Sequence, residues 1–410
     1  MQIMSIRPLA LAALVLLASL APMAAASGAT APQASTNSDA EAYSGTHVSF
    51  ATDGSALVGY AVDGETVLSS VEVQSESQVE SSLGIGVSGD LQAVTNFAGA
   101  GLSMDASAQT SASIQAESGA TIEAHDHGHG TLVVDASDSQ YVELGMNASS
   151  DAEATGDGRV LVTTDDGTKA AVMVVGDGDV AVNDEGNVTA NVKAESKLVV
   201  RSYSEERTEE DEQTEQLIAN GTAAAEVYVD QQDGERVDGT ITYDQDTDVT
   251  VEAESENAVN MTIDRAASQG KVVIASTSQF AAESNDDLTV RVDGEVAAQA
   301  SSYSELRAAA DDGATSKYMV KSTGSAEASA DVLVAVNHFS ERSVSVADAD
   351  SSSDDSDMDG DDSGTDGDDS ETSGDDTGGD GSTGSGDGPG FGVFAALLSL
   401  FGLGALLGRQ

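Results

Sequence analysis

Between residues 43 and 347, short β-branched and aliphatic runs return about every ten positions: Thr131–Val134, Val160–Thr163, Ala171–Val175, Lys197–Val200, Lys271–Ile274, Leu288–Val292 and Asp331–Val336. Runs this short suit strands rather than helices, and their regular spacing between polar turns predicts an all-β body, antiparallel and either sandwich-like or solenoid-like. Alternation is clean in places: Leu288, Val290 and Val292 share one face, with Thr289, Arg291 and Asp293 on the other. Nine Asp-Gly pairs lie in the body, among them Asp53-Gly54, Asp63-Gly64, Asp166-Gly167 and Asp293-Gly294. Asp-Gly suits the type I′ turn that joins antiparallel strands. Val-Asp-Gly recurs at 62–64, 237–239 and 292–294, a weak sign of duplication.

Helix signals are sparse. Ser304–Ala310 predicts one short helix, and the Glu-rich insertion Glu205–Ala219 reads as a helix or a loop. Residues 83–123 are rich in Ala, Ser and Gly, whose small side chains leave a β-solenoid open there.

Charge narrows the class further. With 72 acidic and 16 basic residues the chain carries a net −56, so it has no basic surface with which to neutralise nucleic-acid phosphates. The absence of cysteine excludes a disulfide scaffold, a thiol enzyme and thiolate-based metal sites. Setting aside the sixteen acids of residues 348–388 and the two terminal arginines leaves 56 acids and 14 bases over residues 27–347, a net −42. Such a body repels itself in dilute buffer, but at molar ionic strength the Debye length falls to about 3 Å and the repulsion nearly vanishes. Together with only six lysines, this is the composition of a protein adapted to high salt.

The two ends lie outside the body. Residues 1–26 read as a signal-peptide helix, with Arg7, an apolar run from Leu9 to Leu20, and Ala24-Ala25-Ala26 as the cleavage site before Ser27. Residues 27–42 form a disordered lead into the β-rich body at 43–347. Residues 348–388 hold 15 Asp and one Glu with no base, amid Ser, Thr and Gly, and predict a disordered, extended spacer. Pro389, Gly390 and Phe391 follow. From Phe391 to Gly408 run 18 largely apolar residues, roughly 27 Å as a helix, just enough to cross a bilayer core with Arg409 left on the cytoplasmic side.

Signal peptide, acidic spacer, Pro-Gly-Phe, hydrophobic helix and terminal base, in that order, resemble the PGF-CTERM sorting signal of archaeosortase substrates in halophilic archaea. The resemblance covers residues 1–26 and 348–410 only. It implies processing by signal peptidase and by an archaeosortase that recognises Pro389-Gly390-Phe391, and replacement of the helix (residues 389–410) by a prenyl-type lipid. The expected protein is exported, held to the outer face of the cytoplasmic membrane by helix or lipid, and set among surface-layer neighbours. Its role is expected to be structural or interactive, with no catalysis and no cofactor.

Candidate chemistry in the body is thin. His125, His127 and His129 alternate, and on a strand they would project from one face about 6.6 Å apart, where neutral imidazoles suit zinc, copper or nickel. An extracellular metal- or ligand-binding module is therefore the alternative function. Gly128 and Gly130 argue instead for a turn, with the rings splayed into solvent on an acidic hairpin. Asp355, Asp357, Asp359, Gly360 and Asp366 mimic half a calcium loop without flanking helices, and Asp244, Asp246 and Asp248 alternate near a strand start. The glycines of Gly84–Gly89 match a dinucleotide fingerprint but lack its βαβ context. Asp376-Thr-Gly sits in the spacer, and no nucleophile elbow or zinc-protease motif occurs; a hydrolase would need His47 or His338 beside a buried Ser or Asp. Four glycosylation sequons begin at Asn147, Asn187, Asn220 and Asn260, and strand phase predicts that Asn187 and Asn260 point outward.

Overall fold

The computed structural model describes residues 41–349 apart from 85–89, 205, 233–234, 256–257, 278–287 and 323–329. The signal peptide, the acidic spacer from residue 350 on with its calcium-like and Asp-Thr-Gly segments, and the sorting tail lie outside the described residues; Asp348, expected in the spacer, instead ends the last strand of the body opposite Leu288, and Ala42, expected in the disordered lead, begins the first.

Four sheets make up the body. The first runs, edge to edge, β1 (Ala42–Ser44), β2 (Val48–Asp53), β3 (Ala56–Val62), β4 (Glu65–Ser75), β9 (Gln140–Gly145), β14 (Val188–Val192) and β13 (Gly178–Val182). The second runs β10 (Asp151–Ala154), β11 (Arg159–Thr163), β12 (Lys169–Val175), β15 (Ser196–Tyr203), β8 (Thr131–Ala136), β7 (Ala120–His125), β6 (Ser111–Ala116) and β5 (Leu102–Ser107). The third is β17 (Glu235–Thr242), β16 (Ala223–Gln232), β20 (Gln269–Thr277), β25 (Ala330–His338), β24 (Lys317–Ser322) and β23 (Ala298–Gln299). The fourth is β18 (Thr247–Ser255), β19 (Ala258–Arg265), β26 (Glu341–Asp348), β21 (Leu288–Val292) and β22 (Glu295–Val296). The body is all-β, and its described strand pairs are antiparallel except β16 with β20 and β23 with β24. Residues 102–125, where a solenoid was open, form three antiparallel strands instead.

The first and second sheets share one apolar core, the third and fourth another. A third apolar cluster joins the outward faces of the second and third sheets with two helices, α2 (Glu209–Ala219) and α3 (Tyr303–Asp312). The central strands of the second and third sheets are therefore covered on both faces, which explains why β15 is buried at every residue while β19 and β21 alternate. The continuous valine runs seen in the sequence are the inner strands of this stack.

Local chemistry sets the connections. At Asp63-Gly64 and Asp293-Gly294 both residues take positive φ, as a type I′ turn requires. The Val-Asp-Gly at 237–239 is not a turn: Gly239 lies within β17 opposite Tyr228, where a Cβ would stand 2.2 Å from the Tyr228 ring. The insertion at 205–219 resolves as helix α2, whose capping box pairs Thr208 with Asp211 and satisfies the first turn. The short helix expected at Ser304–Ala310 is α3, and Ser302 caps it. A further helix, α1 (Glu76–Leu83), had no distinct sequence signal; Gly84 closes it in the left-handed region (φ 68°), so that glycine is a helix cap. Among the described residues no helix is long and apolar enough to cross a membrane.

Candidate functional site: the seam between the sheet pairs

β7 ends at His125 and β8 starts at Thr131, so the five residues between them form a turn. The turn does not face solvent. Asp126 is buried, and its carboxylate accepts the backbone N–H groups of Thr46, His47 and Val48 at 2.6–2.7 Å, which fastens the turn to the start of the first sheet. This carries the three histidines into the seam between the second and third sheets, correcting the expectation of a solvated hairpin.

There His127 stacks on Tyr228 of β16, ring centroids 4.5 Å apart and planes 17° from parallel, and its Nε2 lies 3.0 Å from Thr131 Oγ1. His125 meets Tyr228 edge-on, with Nδ1 at 3.5 Å from the phenol oxygen. His129 packs edge-on to His127 and Tyr203, and its Nε2 lies 3.8 Å from Asp331 Oδ2. The Tyr228 hydroxyl donates to Thr110 O at 2.6 Å. Burial pushes His125 down to about 4 and His127 well below the ordinary imidazole range, although Glu226 pulls the other way.

Around them lies a network of buried ions that sequence reading missed. Arg201 of β15, 1% exposed, donates to Glu226 of β16, which is fully buried. Glu226 also accepts from Tyr243 Oη (2.7 Å), and Ser276 Oγ, whose one proton goes to the nearer Asp331 Oδ1, lies 3.1 Å away. Burial alone would raise the Glu226 carboxyl; the charge of the Arg201 guanidinium overrides it and holds the group at about 2. Glu215 of α2 accepts from Arg207, Tyr203 and Arg159, pinning that helix to the second sheet. Lys321 of β24 bridges Asp211 and Asp331 at 2.6 and 3.0 Å. A charge inside an apolar run was the available signal: Val199-Val200-Arg201, Ala225-Glu226-Val227 and Asp331-Val332-Leu333 each carry one.

Among the described residues no group of three or more His, Asp or Glu is placed to hold a metal ion. The imidazoles contact aromatic rings, one another, a threonine and, at His129, the Asp331 carboxylate. Asp244 is tied to Arg265, and Thr247 already begins β18 beyond it, so Asp244, Asp246 and Asp248 straddle a turn and a strand. His47 lies between two carboxylates, Asp63 (2.8 Å) and Asp230 (3.2 Å), and His338 is exposed at the end of β25. A recess of about 490 Å³ formed by residues 42–46 and 107–109 contains one titratable side chain, Tyr43, whose hydroxyl donates to Gln109 O.

The sequons divide. Asn220 is exposed at the C-cap of α2, and Asn260 lies on the outer side of the fourth sheet, between Glu252 and Ser345, with Val259, Met261 and Ile263 turned inward. Asn187 is not free as strand phase suggested: its Nδ2 donates to Glu143 at 2.9 Å and its carbonyl accepts from Met146 N. Asn147 donates to Thr66 O at 3.3 Å. No protein-family model matches the chain, and no curated protein matches it in sequence.

Proposed function

We propose that the protein is an exported cell-surface component with a structural or interaction role, non-catalytic, displayed on a membrane or lipid anchor through its acidic spacer. The observation that carries this reading is the order of parts in the sequence: signal peptide, β-rich body, acidic spacer, Pro389-Gly390-Phe391, hydrophobic helix and Arg409. The architecture of the body is in keeping with it, because the seam histidines, Arg201, Glu226, Lys321 and Asp331 are engaged in holding two sheet pairs together. Fully extended, the 41-residue spacer would reach on the order of 130 Å at about 3.3 Å per residue, far enough to lift the body clear of the membrane. Mass spectrometry of the mature protein tests the anchor. The expected product lacks residues 1–26 and ends near Pro389 with a lipid; a C-terminus intact to Gln410 overturns the processing claim.

A further inference from the structure

No cysteine is available to cross-link this chain, yet one buried amine is placed where a different covalent tie can form. Lys321 is 4% exposed; its Nζ lies 2.6 Å from Asp211 Oδ1 and 3.0 Å from Asp331 Oδ2, and the two aspartates are 5% and 2% exposed. The three residues come from α2, β24 and β25.

One amine between two carboxylates carries the proton inventory for amide formation: an acid to be attacked and a base to take the proton released. The two aspartates differ in a way that assigns these parts. Asp211 Oδ2 accepts from both the N–H and the Oγ–H of Thr208, at 2.7 and 2.8 Å, donors suited to negative charge growing on that oxygen during attack. Asp331 Oδ1 accepts from Ser276 Oγ at 2.7 Å, while its Oδ2 faces Lys321. We propose that Lys321 and Asp211 form an intramolecular isopeptide bond, with Asp331 as the base.

The step balances without any co-reactant. A proton passes from the Lys321 ammonium to Asp211, giving a neutral amine and a neutral acid beside one carboxylate, with the total charge unchanged. The Nζ lone pair attacks Asp211 Cγ, and Asp331 takes the second Nζ proton. Asp331 then returns that proton to the departing hydroxyl. The C–N bond forms, the C–O bond breaks, water leaves, and Asp331 ends as a carboxylate. The resting trio is ionic, with Lys321 held above and Asp331 well below their usual ranges by each other's charge despite burial. Burial works against that charged state, and a reaction needed once per molecule tolerates a rare neutral tautomer. The bond would tie α2 to β24 across 110 residues of chain, beside the seam.

Peptide mapping of the full chain, folded in molar KCl and then denatured and digested with trypsin, is the test. The expected result is no cleavage at Lys321 and a branched peptide joining it to Asp211, 18 Da lighter than its two linear parts. Intact mass alone does not suffice, because Asp-Gly pairs also lose water through succinimides. Asp331→Ala keeps both partners and should lower the cross-linked fraction at least tenfold. A linear Lys321 peptide with a free ε-amine from the folded wild type overturns the proposal, as does a branch to Asp331.

Discussion

His47 shows how one side chain links the two sheet pairs. It precedes β2, and its two ring nitrogens reach Asp63 at the β3–β4 turn and Asp230 on β16. Those two hydrogen bonds, to Asp230 and to Asp63, outweigh burial and raise the imidazole to about 10. Below pH 6.5 both the folded and the unfolded chain hold this proton, and its stabilisation is fully present. Between 6.5 and about 10 only the folded chain holds it, so the contribution drains away as pH rises. The ring is 24% exposed, so solvent screening reduces the gain to about 1–2 kcal/mol. Thermal melts of wild type and His47→Asn at fixed molar salt should therefore differ most at pH 6 and converge by pH 10. A difference that stays constant over this range would show that the imidazole is not held charged.

At the scale of elements, the sequence disclosed strands wherever a short β-branched run met a turn former, and the Asp-Gly turns at 63–64 and 293–294 took the conformation their residues favour. What it could not disclose was which strands lie inside the stack. Lys197–Val200 and Leu288–Val292 look alike as apolar runs, yet the first is covered on both faces and the second on one, because that depends on which other sheets and helices pack against them. The histidine turn was misread for the same reason: Gly128 and Gly130 correctly announce a turn, but only Asp126, capturing three N–H groups from the β1–β2 connection, decides that it folds inward. Cross-strand register also sets Asp248, Asp264 and Glu341 directly opposite one another on β18, β19 and β26, all exposed. Like charges so placed repel, by about 0.2–1 kcal/mol per pair where screening is weak. Asp264→Thr should accordingly raise the melting temperature in 0.1 M salt and change it little in 3 M salt. An equal effect in both would assign the gain to strand propensity instead.

Over the whole molecule, the placement of the few cations matters more than their number. Of the 14 Lys and Arg between residues 27 and 347, five are buried (Arg159, Lys197, Arg201, Arg265 and Lys321), nine are half-buried and none is exposed. The solvent-facing surface is thus left to acids. Salt acts unequally on these two populations. Buried pairs such as Arg201–Glu226 and Arg159–Glu215 are screened little, so their attraction survives in concentrated electrolyte. Exposed carboxylates are screened strongly, so their mutual repulsion is what salt removes. Apolar burial rests mainly on valine and alanine and offsets less of that repulsion per residue than a leucine- and aromatic-rich core would. Both arguments give salt a stabilising sign. We expect the chain to hold a strand-type circular dichroism spectrum in 3 M KCl and to lose on the order of 10 °C or more of melting temperature in 0.1 M KCl, a shift that corresponds to several kcal/mol for a body of this size. A melting temperature equal or higher at 0.1 M would mean that the pairs in the seam, rather than the acids on the surface, dominate its response to salt.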